Sequence, residues 1–295
     1  MTNSGKEICS MRRTFMTLAL AIALPAAGCT SDAGGTSQTE SSSTQAGASA
    51  PPIHVMQTIV FLKDGSPAVE ANYRAALAKC SGGPLPVQPL SPEVVGKLGR
   101  TYLDVRYEGD RMAVNADHWD FKSIDHPPAV ACAFGVEHTS RLTIVKPGAS
   151  IGIDLEKRTG SSEASPGAVR SAAATPSGSG DPLQAAVAAQ LAKQGQGDLM
   201  GQDAGSGTSA GQPCKQGRTT AGEFCVWSGG QKWGFVTDKA ETNDRMDAPT
   251  DSITLWSKPA GGNGYELTTQ SMTVGTPIDG KVFEVPSNIA ISKAD

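Results

Sequence analysis

The chain has 295 residues, with 25 Lys and Arg against 29 Asp and Glu, and a net charge of −4. It carries no basic footprint, so nucleic acid is not expected as a partner. Its 34 glycines and 19 prolines exceed the usual combined share of about 12%, and aromatics make up only 5% of the chain. Much of the length is therefore expected outside any packed core. No apolar run reaches eighteen residues, so no membrane-spanning helix is expected.

The N-terminus reads as a secretory signal. Arg12 and Arg13 form a basic region, and Phe15 to Leu24 form an apolar stretch. Pro25-Ala26-Ala27-Gly28 then leads into Cys29. The motif Ala26-Ala27-Gly28-Cys29 resembles the lipobox of bacterial lipoproteins. That resemblance implies cleavage before Cys29 and acylation of its sulfur, leaving a membrane anchor of acyl chains. Two or three chains anchor stably, whereas one holds only marginally. Residues 30–52 are Ser, Thr, Gly, Ala and Gln with almost no apolar side chain, the composition of a flexible tether.

The first folded half, 53–158, is expected to mix strands with two helices. Val55 to Leu62 reads as a strand. Ser66-Pro67 opens a helix with Val69, Tyr73, Leu77 and Cys80 at helical spacing, and Gly82-Gly83 ends it. Ser91-Pro92-Glu93 opens a shorter helix. Strands follow around Leu103 to Tyr107, Met112 and Val114, Trp119 and Phe121, Ala129 to Val136, Leu142 to Val145, and Ile151 to Leu155. Turns are expected at Glu108-Gly109-Asp110 and Lys146-Pro147-Gly148.

Residues 159–213 read as a low-complexity insertion. It holds one helical signal over 182–194, with Asp181 as N-cap, Pro182 at the first position, and Leu183, Val187 and Leu191 in register. The second half, 214–295, reads as nearly all β. Its strands are expected at Phe224 to Trp227, Trp233 to Val236, Ile253 to Trp256, Tyr265 to Val274 and Val282 to Val285. At 82 residues it is small for a core of its own, so the two halves are expected to share one sheet.

Cysteine usage fits export. With Cys9 in the signal and Cys29 acylated, Cys80, Cys132, Cys214 and Cys225 remain. An even count predicts two disulfides in one of three connectivities, and proximity favours Cys214–Cys225 and Cys80–Cys132. No pair has C-x-x-C spacing, which gives no support to zinc or thioredoxin-like chemistry.

The body of antiparallel strands with an early helix and a helical insertion ends in Val274-Gly275-Thr276-Pro277-Ile278-Asp279 and Phe283-Glu284-Val285-Pro286. Ala221-Gly222-Glu223-Phe224-Cys225 forms a Gly-x-x-Cys strand. These features resemble the LolA/LolB lipoprotein-carrier half-barrel. The resemblance implies an α+β fold, mostly antiparallel β, with a curved sheet or half-barrel, one or two packed helices, and a disordered tether and insertion. It also implies a concave sheet that binds lipid or another hydrophobic ligand.

No catalytic constellation emerges. Gly148-Ala149-Ser150-Ile151-Gly152 and Gly207-Thr208-Ser209-Ala210-Gly211 match G-x-S-x-G, but the first runs into a strand and the second lies in low-complexity sequence. All four histidines, His54, His118, His126 and His138, precede the second serine. Only the stretch containing Asp117, His118, Asp120, Asp125, His126 and His138 could seat an atypical site, and its spacing fits no metal-ligand pattern. The acidic run Asp238, Glu241, Asp244, Asp247 and Asp251 reads as a solvated loop, not an EF-hand. Trp119, Trp227, Trp233 and Trp256 read as core residues, a few of which would line a cavity if the sheet is a half-barrel.

The leading expectation is a lipid-anchored cell-envelope lipoprotein, facing periplasm or exterior. It would bind a hydrophobic ligand or a protein partner, with no cofactor and no catalytic residues. The alternatives are a secreted hydrolase-type enzyme using the 117–138 stretch and a purely structural surface lipoprotein.

Overall fold

A computed structural model describes residues 49–124, 131–164, 202–237 and 251–293. The signal segment, Cys29, the helix expected at 182–194, Asp125, His126 and the acidic residues Asp238 to Asp247 lie outside the described residues. Among the described residues no helix is long and apolar enough to cross a membrane.

The first half opens with β1 (Ile53–Lys63), the two-residue β2 (Ser66–Pro67) and α1 (Ala68–Ser81). Next come β3 (Val87–Gln88) and α2 (Pro92–Val95), where the Ser91 side chain accepts a hydrogen bond from the Val94 amide. β4 (Arg100–Glu108), β5 (Arg111–Ile124), β6 (Cys132–Lys146), β7 (Ala149–Asp154) and β8 (Thr159–Ala164) form a meander. The second half holds β9 (Gln202–Ser209), β10 (Gln212–Thr219), β11 (Gly222–Trp227), β12 (Thr254–Pro259), β13 (Gly264–Val274) and β14 (Ala290–Lys293).

All of these strands belong to one open sheet with the order β14-β8-β7-β6-β5-β4-β1-β13-β12-β11-β10-β9. β2 adds to β1, and β3 adds to β6. Pairing is antiparallel except β14 on β8 and β3 on β6. The two halves do share one sheet, and β1 joins them by pairing with β4 on one side and β13 on the other.

One face carries the main core. Ile53 and Val55 of β1 align with Tyr107 and Val105 of β4, and these with Met112 and Val114 of β5. They pack with Cys225, Trp227, Phe235 and Leu255 from the other half. This contact requires a curved sheet. β4 and β11 are four strand intervals apart, about 19 Å if flat. Yet the Phe235 ring lies 5.5 Å from Tyr107 and 5.3 Å from Trp227.

The opposite face is covered at two places. α1 lays Tyr73 against Phe121 and Phe134, at 5.6 and 5.2 Å. The Cys80–Cys132 disulfide ties the same helix to β6. At the other end of β5, Phe283 packs on the Arg111 guanidinium, and Val285 and Ile289 cover Ile144, Ile151 and Ile153.

The elements depart from expectation in several places: the strands expected up to Val136 and at Leu142 to Val145 lie in the single β6, and β10 and β14 form where no strand is expected. The pairs Met112–Val114 and Trp119–Phe121 fall within a single fourteen-residue strand, β5. Sheet also extends into both ends of the 159–213 segment, as β8 and β9. The segment expected as a strand from Trp233 begins instead with a 3-10 turn, Gln231–Trp233, stopped by Gly234 at φ 86°. Val282 and Phe283 likewise lie in a 3-10 turn, Gly280–Phe283, capped by the Asp279 side chain on the Lys281 amide.

Candidate functional site

Between α1 and the 283–289 cover, the middle of β5 remains uncovered on its odd-numbered side. Strand alternation places Asn115, Asp117 and Trp119 there in succession, between Arg111 under Phe283 and Phe121 under Tyr73. Register adds Tyr102 and Asp104 from β4, opposite Asp117 and Asn115, and His138 and Ser140 from β6, opposite Trp119 and Asp117. β1 adds His54 and Met56.

The side chains in this strip are interlocked. His138 lies with Nε2 3.1 Å from Asp117 and Nδ1 2.7 Å from Glu156. Its ring stacks on Trp119 at 4.5 Å and 26°, and Tyr102 meets the same indole edge-on at 5.4 Å. Lys97 sits 5.8 Å from the Trp119 ring. Asp104 is held by His54 at 2.8 Å and by Arg106 at 2.6 Å. The Asn115 amide nitrogen donates to Asp117 at 3.4 Å, while its carbonyl oxygen is buried without a partner.

The strip brings together only part of the expected 117–138 stretch. Asp117 and His138 meet, but His118 and Asp120 are even-numbered on β5 and fall on the opposite face. There His118 bonds Thr101 at 2.9 Å. Both His138 nitrogens face carboxylates, Asp117 on one side and Glu156 on the other. Among the described residues no group of three His, Cys, Asp or Glu could hold a metal ion. Glu156 and Trp119 complete the cluster. In sequence Glu156 reads as the polar side of the Ile151, Ile153 and Leu155 alternation, but β7 ends at Asp154 and Glu156 reaches His138 from the turn that follows.

Ionic pairs elsewhere are superficial. The Arg74 hydrogen bond holds the Glu70 carboxyl below its usual range, against a smaller opposing effect of burial and with help from Arg100. Lys157 holds Asp154 low through its ammonium and its amide.

The four cysteines form Cys80–Cys132 and Cys214–Cys225. Two disulfides place the chain in an extracytoplasmic, oxidising compartment. Cys29 lies outside the described residues.

Among large apolar side chains, Phe61 and Tyr265 are 42% and 38% exposed and form an edge-to-face pair at 5.0 Å. Met56 is 41% exposed on the uncovered strip.

No family model matches the chain, and no curated protein matches it. Among solved structures, it is similar to an uncharacterized conserved protein from Thermus thermophilus. That match has 6% identity and a TM-score of 0.32, covering 83% of this chain and 91% of the other.

Proposed function

We propose that the chain is a lipid-anchored envelope protein that works by binding, with Cys29 as the acylated residue and 30–52 as the tether. The half-barrel implied by the lipoprotein-carrier resemblance is supported only as far as an open, curved and mostly antiparallel sheet. Its recognition surface lies on the outside of the fold and faces a protein partner.

One observation carries the choice of a surface over an enclosed ligand. Tyr107, Trp227 and Phe235 are each no more than 2% exposed and fill the concavity where a carrier would hold acyl chains. Binding through the exterior is further supported by the exposed Phe61–Tyr265 pair, which strand alternation puts on the face of β1 opposite the exposed Met56. Exposed aromatics of this kind anchor protein interfaces.

Two measurements test the reading. Cys29→Ser is expected to move the protein from the membrane to the soluble fraction, and unchanged fractionation would remove the anchor. Native mass spectrometry of the delipidated Cys29→Ser chain is expected to show no retained acyl ligand. A stoichiometric bound lipid would replace the partner-binding reading with carriage.

A further inference from the structure

The core face does not stay apolar across the whole sheet. One row across it runs Val55, Val105, Val114, Thr143, Gly152, Ser161 and Ser292, from β1 to β14. The next row runs Gln57, Leu103, Ala116, Arg141, Asp154 and Thr159. Both rows turn polar at β6, where the sheet projects past the packed core as a shelf.

The centre of this shelf is hollow. A volume of about 480 Å³ opens over it, lined by Arg141, Thr143, Gly152, Asp154, Thr159 and Ser161 among others. The hollow exists because Gly152 contributes no side chain. A Cβ built there meets nothing within 4 Å, and Gly152 does not have a left-handed backbone. Ser292 closes one side, its hydroxyl donating to the Gly160 carbonyl at 3.2 Å.

The charges in the hollow do not cancel. Asp154 is already neutralised by the Lys157 ammonium at 2.7 Å and the Lys157 amide at 2.9 Å. The Arg141 guanidinium has no ion pair or hydrogen bond among the described residues. Arg141, itself solvent-exposed, is left as the unpaired cation of a hollow that is also lined by the hydroxyls of Thr143, Thr159 and Ser161 and by the Lys157-paired Asp154 carboxylate. A planar donor fork beside hydroxyl donors matches a tetrahedral oxyanion better than a neutral or cationic group.

We propose that this shelf binds a phosphate-type oxyanion, with Arg141 as the charged donor and Gly152 as the residue that makes room for it. The group is either a free anion or the headgroup of an anionic phospholipid. This inference rests on the geometry alone and stands independently of the anchoring and partner reading above.

The test uses the full chain carrying Cys29→Ser, so that no acyl anchor confuses the result. Calorimetric titration with inorganic phosphate is expected to show one saturable site in the millimolar range. Arg141→Ala should weaken it about tenfold, in keeping with loss of a charge-assisted contact. Gly152→Leu, which fills the hollow, should abolish it without lowering the melting temperature. Co-sedimentation with phosphatidylglycerol vesicles, compared with phosphatidylcholine vesicles, identifies the source. Arg141-dependent retention assigns a lipid headgroup, and phosphate binding without retention assigns a free anion. Absence of saturable phosphate binding overturns the proposal. So does equal binding by both variants, which marks an adventitious ion only.

Discussion

Trp227 shows how much a single side chain does in this fold. It is 1% exposed and touches both Trp233 and Phe235, yet its indole N–H is buried without a hydrogen-bond partner. The ring contributes apolar burial, whereas the N–H contributes only a desolvation cost. Trp227→Ala is therefore expected to cost about 3–5 kcal/mol. Trp227→Phe should cost less than half as much, because it also removes the unpaired donor. Denaturant unfolding of the two variants checks the ratio. Glu70 gives a residue-level prediction in pH. Its carboxyl is held below the ordinary value of 4.5 by Arg74 and Arg100, so its contribution is complete above that value. It is lost as pH falls through the lowered folded value. Glu70→Gln should destabilise by roughly 0.5 kcal/mol at pH 7, as expected of a surface pair, and by nothing near pH 2. Parallel thermal melts at the two pH values measure this.

At the scale of elements, β14 depends on a glycine in its neighbour. A Cβ on Gly160 would lie 2.7 Å from both the Gly152 carbonyl oxygen and the Ile291 side chain. Gly160→Ala is thus expected to disturb the β7–β8 pairing together with β14 while leaving the β4–β6 ladder intact. Hydrogen exchange should show loss of protection in β7, β8 and β14 and none in β4–β6. This part of the sheet was also hard to read from sequence. β4 and β7 announce themselves through alternating apolar residues, β1 through an apolar run, and α1 through Val69, Tyr73 and Leu77. β8 is Thr-Gly-Ser-Ser-Glu-Ala and β9 is Gln-Asp-Ala-Gly-Ser-Gly-Thr-Ser. Neither buries an apolar face, so neither carries a period-two signal. They form because the backbone ladder of a neighbouring strand is available, a tertiary cause with no local trace. The candidate strip was legible in the same uneven way. Trp119 against Asp120 marked a strand, but the meeting of Asp117 with His138 needs the β5–β6 register. The pairing of the four cysteines followed from proximity because each bridge closes a short separation, 11 and 52 residues.

For the whole molecule, the decisive feature is that one strand holds the two halves together. β1 hydrogen-bonds β4 nearby and β13 far along the chain, with Thr58 and Gln270 212 residues apart yet in side-chain contact. Contacts of such long range make folding slow, because loop closure precedes any reward from pairing. Refolding with both disulfides intact, followed by tryptophan fluorescence, is expected on a timescale of seconds, and a sub-millisecond phase carrying the full amplitude would contradict it. The same strand sets the order of events as the chain is synthesised, amino end first. β1 and β4 can pair early, but the other edge of β1 stays bare until Gly264–Val274 arrives. Through that interval the growing protein presents a long, half-apolar strand edge to its surroundings. Folding therefore has a vulnerable stage whose length is set by the sequence distance between two strands, β1 and β13, and it ends only when the second of them is in place.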